Sequence, residues 1–117
     1  MDDASAERIA ANEATFRDAN ERIQKRAREL DFPDPVPFIC ECGDAQCREI
    51  LRLTLEEYES VRRAGGASFF LVPGHEQAAG SSGIVRGQND RFAVVELVGR
   101  AAEVADERDP REPSGRR

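Results

Sequence analysis

Residues 36–47 read V-P-F-I-C-E-C-G-D-A-Q-C. Val36 to Cys40 is a short strand or extended segment that delivers the chain to three closely spaced thiols, Cys40, Cys42 and Cys47. Residues two apart on an extended strand project from the same face, so Cys40 and Cys42 can grip one ion. Gly43 and Asp44 are turn formers, which lets the chain reverse and return Cys47 to the same point. A thiolate is a soft, negative donor that Zn2+ binds strongly. Three thiolates leave one corner of a tetrahedron unfilled. His75, the sole histidine of the chain, follows a Pro73-Gly74 break at the end of an expected strand, where it can be presented to the cysteine loop. A Cys3His shell is a common closed structural set. Such a site contributes folding energy that a small polar domain otherwise lacks.

The same residues carry other readings. The fourth ligand can instead be Glu76, Asp44 or water. Three cysteines and a histidine can also hold an iron–sulfur cluster, and the thiols can equally be metal-free beside a solvated histidine. A Cys/His pair can serve as nucleophile and base. A catalytic thiol, however, needs no two further thiols so close by, and no oxyanion-type glycine motif stands near. Glu56, Glu57 and Glu59 read as the solvated face of a short helix. With no G-x-G-x-x-G or Walker-type loop present, the chain leans away from an enzyme.

On the N-terminal side, residues 4 to 30 read as one long helix, rich in alanine, glutamate and arginine and free of Gly and Pro. Ile9, Phe16, Ile23 and Leu30 recur every seven residues, thickened by Ala19 and Ala27, and this stripe is expected to dock on the chain's own domain. Asn12, Asn20 and Arg26 interrupt it, which disfavours a coiled coil. The prolines of D-F-P-D-P-V-P, residues 31 to 37, are expected to stop the helix.

On the C-terminal side, Leu51 and Leu53 alternate with Arg52 and Thr54 in a half-buried strand. Thr54 and Glu57 form a capping box for a helix with a Leu55, Tyr58 and Val61 face, ended by Gly65 and Gly66. S-F-F-L-V, residues 68 to 72, is a strand. Residues 77 to 83, Q-A-A-G-S-S-G, are expected to be a flexible loop. R-F-A-V-V-E-L-V-G, residues 91 to 99, has apolar side chains on both faces, as a central strand does. A short helix is expected over 101 to 108.

The fold class is therefore α+β: a long N-terminal helix plus a small, mainly antiparallel sheet with a zinc-pinned loop. The expected organisation is a helix over 1–30, a small metal-binding domain over 36–106 and a disordered tail over 107–117. One domain is what 117 residues allow. Clustered thiols and an acidic start without an apolar core point to a reducing, cytoplasmic compartment. No apolar run approaches the length of a membrane helix. A net charge of −6 argues against coating nucleic acid by charge, although Arg22, Lys25, Arg26 and Arg28 make a basic end on the first helix.

The strings P-F-I-C-E-C-G-D-A-Q-C, L-T-L-E-E-Y-E-S-V-R and F-F-L-V-P-G-H-E, behind A-N-E-A-T-F-R-D-A-N-E-R-I, carry a further signal. Together they resemble a family of short bacterial proteins that has no assigned activity, over about residues 8 to 105. The family pattern is roughly F-x-C-E-C-x4-C, L-T-x-x-E-Y-E-x-V-R and P-G-H-E. The resemblance implies that the cysteine cluster and the P-G-H-E turn travel together, placing Cys40, Cys42, Cys47 and His75 in one site. The chain departs from the pattern in the glycine-rich stretch after Gln77. The functional expectation is a small, non-catalytic zinc-binding module that contacts a protein partner or self-associates through its first helix. A thiol redox sensor using the same cysteines is the alternative, and a nucleic-acid-binding zinc module the weaker one.

Overall fold

A 27-residue helix, α1 (Asp3–Glu29), opens the computed structural model, which describes residues 3 to 111 of the chain. Its end is built by the backbone rather than by the prolines. Asp31 adopts the left-handed conformation (φ 51°). Phe32 N–H then bonds back to Ala27 O at 2.9 Å, and Asp31 N–H to Arg28 O at 3.3 Å. This is the Schellman pattern that satisfies orphan carbonyls at a helix C-terminus; the prolines lie just beyond it.

The buried face of α1 differs from the expected stripe. Leu30 is 59% exposed, and Ile9, Phe16 and Ile23 are only half-buried. The buried positions are Ala6, Ala10, Glu13, Ala14, Arg17, Asn20 and Ala27, which follow helical spacing one step round the cylinder. Small and polar residues, Asn20 among them, face the rest of the molecule because its polar backbone reaches up to meet them.

Strand β1 (Val36–Ile39) pairs antiparallel with β2 (Ile50–Leu53), matching Val36 to Leu53 and Phe38 to Leu51. These four side chains point inward and are buried. Helix α2 (Leu55–Arg63) follows with the capping box of Thr54 and Glu57 in place. Its Tyr58 ring stacks on Phe38 at 4.5 Å, and both rings meet Phe70 edge-on. This aromatic trio centres the larger core cluster.

Strands β3 (Ser68–Leu71), β4 (Gly83–Gln88) and β5 (Ala93–Leu97) form a second antiparallel sheet in the order β3-β5-β4. β5 takes the central place, as apolar residues on both its faces require. Strand β4 carried no clear signal because it is an exposed edge, with a register shift between Val85 and Gly87 and thus no sustained alternation of buried side chains. Residues 75–82 form short 3-10 turns rather than a loop. Ala79 anchors them in a second apolar cluster with Ala6, Ala10, Phe69 and Leu97. Helix α3 (Gly99–Glu107) adds Ala101, Val104 and Ala105 to that cluster.

The architecture is α+β, and α1 lies across both core clusters. Of the stretch expected as a tail, residues 112 to 117 lie outside the described residues. Within it, Arg111 forms ion pairs with Glu21 of α1 (2.6 Å) and Glu59 of α2 (2.7 Å). Among the described residues no helix is long and apolar enough to cross a membrane.

Candidate metal centre

The chain continues β1 past its last paired residue and bridges the two sheets there. Cys40 N–H bonds Glu49 O at 3.0 Å, extending the pairing with β2, while Glu41 N–H bonds Phe70 O at 3.0 Å, reaching β3. This extended backbone sends Cys40 and Cys42 to one side and Glu41 to the other. Gly43 then turns the chain at φ +86°, in the left-handed region that glycine adopts without steric cost. A Cβ there would also stand 2.9 Å from Glu13 Oε2 and 3.1 Å from Ile9 Cγ2. Asp44 completes the reversal. Its side chain accepts from Gln46 N–H at 2.9 Å and its carbonyl from Cys47 N–H at 3.0 Å, which brings Cys47 back under the strand.

His75 arrives from β3. The strand ends at Leu71, Gly74 turns at φ +99°, and His75 N–H closes the turn on Val72 O at 2.9 Å. Glu76 Oε1 accepts from Gly74 N–H at 2.7 Å. The imidazole Nδ1 thereby lies 3.6 Å from Cys40 Sγ and 3.7 Å from Cys47 Sγ. The four donor atoms of Cys40, Cys42, Cys47 and His75 all fall within 4.8 Å of one another. The cysteines are buried and unpaired, and the histidine is half-buried.

The two separations from the imidazole fit a single tetrahedral ion. Bonds of about 2.3 Å to sulfur and about 2.05 Å to nitrogen, at tetrahedral angles, set a sulfur-to-nitrogen edge of about 3.6 Å. Two sulfurs on one such ion stand about 3.8 Å apart, so with separations of up to 4.8 Å the four donor atoms would close by as much as about 1 Å round an ion. Asp44 and Glu76 stand outside the donor group and serve the two turns. Val72 N–H donates to Cys40 Sγ at 3.3 Å, the kind of support that holds a ligand in place and tunes its charge.

The thiols do not titrate alike. A hydrogen bond from Cys40 holds the Cys42 thiol down to about 5, against its own burial. That same bond, with burial, pushes Cys40 up, and burial pushes Cys47 up. The pocket thus holds one ready thiolate and two thiols that must lose protons to bind a cation. Beside it lies a shallow cleft of about 350 Å³ lined by Cys42, Asp44, Gly74, His75, Gln77 and Ala78.

Sequence reasoning missed the other face of this loop. Glu41 is fully buried, and Arg17 donates to it through Nε (2.8 Å) and a terminal nitrogen (2.7 Å). Asn20 Nδ2 donates to Glu41 at 2.9 Å and to Ile39 O at 2.8 Å, and Asn20 Oδ1 accepts from Ile39 N–H at 2.8 Å. Asn12 Nδ2 donates to Gly43 O at 2.9 Å. Two signals were available: strand alternation must turn Glu41 away from its flanking cysteines, and Glu13, Arg17 and Asn20 share one helical face. No family model, no curated protein and no solved structure matches the chain.

Proposed function

We propose that this is a small metal-binding module whose Cys3His centre holds one Zn2+ as a structural ion, in a reducing compartment such as the cytoplasm. The convergence of the four donor atoms within 4.8 Å carries the reading. Thiolate-rich, tetrahedral donor sets favour zinc among the common divalent ions. A closed four-ligand shell leaves no open position for a reacting water, so the role is to fix structure rather than to catalyse. The ion would pin the Cys40–Cys47 loop to the turn after β3 and so hold the two sheets together beside the Glu41–Phe70 backbone bond that joins them. A regulatory or adaptor role, through contact with another protein or a second copy, is the finer part of this proposal. Support for it comes from the large apolar side chains left exposed at Leu30, Phe32 and Ile50. The deciding measurement is elemental analysis of protein purified without chelator. About one zinc per chain supports the reading, and absence of both zinc and iron overturns it.

A second reading rests on the cleft beside Cys42 and His75 and on the acidic Cys42 thiol. Hydrogen peroxide could reach the site there and take two electrons from two thiolates. One disulfide forms, the O–O bond breaks with uptake of two protons to give two waters, and the ion is released. Release at low peroxide, followed with a zinc indicator, would favour a redox sensor, and inert zinc a purely structural centre.

A further inference from the structure

We infer that helix α1 is the outer shell of the metal centre, so that filling the site and docking the helix are one coupled equilibrium. The inference rests on the metal reading above and deepens it. The loop from Ile39 to Gly43 has two faces. Cys40 and Cys42 face Cys47 and His75. Ile39, Glu41 and Gly43 face α1, and each is hydrogen-bonded there: Ile39 by Asn20, Glu41 by Arg17 and Asn20, Gly43 by Asn12. No residue of the loop is left out of this alternation, so the ion cannot set the cysteines without also setting the groups that α1 reads.

The coupling matters because of what the α1 face is made of. Between its alanines it buries Glu13, Arg17 and Asn20, which gain little from leaving water unless a partner is correctly placed. Arg17 also donates to Ser68 O at 2.6 Å and lies over the Phe69 ring at 4.3 Å, tying the lattice to β3. A loop that loses its ion and its geometry strands Arg17 and Asn20 in the interior. The helix then loosens around them, while Ala6 and Ala10 still hold its first turns against α3. Linkage makes the effect reciprocal: weakening the helix lattice must weaken metal binding by the same factor.

The test uses the full chain and two measurements. Zn2+ affinity is read by competition with a chromophoric chelator for the wild type, Glu41→Gln, Asn12→Ala and the control Gln24→Ala. Gln24 sits on α1 but bonds Glu59 at 3.1 Å instead of the loop. Amide exchange of α1 is followed in the zinc-loaded and chelated wild type. Glu41→Gln should weaken Zn2+ binding about tenfold to a hundredfold, Asn12→Ala less, and Gln24→Ala not at all. Exchange over residues 12 to 23 should accelerate on metal removal. Equal affinities for all four proteins, with α1 exchange unchanged by zinc, would overturn the coupling. A role in stability alone would lower the melting points of loaded and metal-free protein equally and leave affinity untouched. If Glu41→Gln does not fold, Asn12→Ala and the wild-type exchange decide. A wild type that takes up no Zn2+ would sink the metal reading itself, which is a different result from zinc bound without coupling.

Discussion

Arg17 and Glu41 form a two-pronged ion pair, at 2.7 and 2.8 Å, with side chains only 2% and 0% exposed. Breaking a buried pair by removing one partner leaves an uncompensated charge in the interior, at a cost of about 3–5 kcal/mol. Replacing both partners by apolar groups of similar volume removes that penalty. Arg17→Met alone should therefore lower the urea-unfolding free energy of the zinc-loaded protein by that amount. The double variant Arg17→Met/Glu41→Leu should recover much of the loss. A double variant as weak as the sum of the two singles would show that the pair is not what fixes α1.

Cys42→Ser removes one soft donor from a set of four. The variant should bind Zn2+ far more weakly and melt lower by more than about 10 °C, the shift that roughly 2 kcal/mol makes in a domain of this size. Chelator should bring the wild type down to the variant's melting point and leave the variant itself unmoved. Calorimetry of both proteins with and without chelator reads this directly. Equal melting points for all four samples would exclude a structural ion.

Metal binding should strengthen as pH rises. In the metal-free protein Cys40 and Cys47 are pushed up and keep their protons at neutral pH, the first by its bond to Cys42 and the second by burial, while Cys42 is already ionised. Zn2+ must displace about two protons, so the apparent affinity should climb by up to about a hundredfold per pH unit. Chelator competition from pH 6.5 to 8 checks the slope. A flat profile would mean that the ion does not engage all three sulfurs.

The features legible in the sequence were those with a local cause. The capping box, the central strand and the cysteine turn each follow from a few neighbouring residues. His75 is the exception, 28 positions after Cys47: its place beside the cysteines is legible because three thiolates leave one corner of a tetrahedron unfilled and the chain has one histidine to fill it. The features missed depend on partners far away in the chain. Asn20 reads as a flaw in an apolar seam, because nothing nearby shows that it replaces a strand along the edge of β1 through Ile39. Glu41 reads as a surface acid between two ligands, since its partner Arg17 lies on a helix 24 positions earlier. Strand β4 is invisible because an exposed edge needs no hydrophobic period, and its place is set by pairing with β5.

Glu13 gives the last prediction, and its sign follows from burial. The side chain is fully buried, and neither carboxylate oxygen has a hydrogen-bond partner among the described residues. Burial first, then the charges of Glu41 and Cys42, raise its pKa well above the ordinary carboxylate value; Arg17 opposes them. A carboxyl group with a raised folded value holds its proton where the unfolded chain has lost it. Stability is then lost as pH climbs from the ordinary carboxylate value towards the folded one. Glu13→Gln removes the titration, so its stability relative to the wild type should improve from pH 5 to pH 8, by up to about 1.4 kcal/mol per pH unit while Glu13 stays protonated. Urea unfolding of both proteins in excess zinc measures the difference at each pH, which cancels the pH dependence of metal binding that they share. A difference that stays constant, or that falls with pH, would mean that Glu13 is ionised in the folded protein and that Arg17 outweighs its burial.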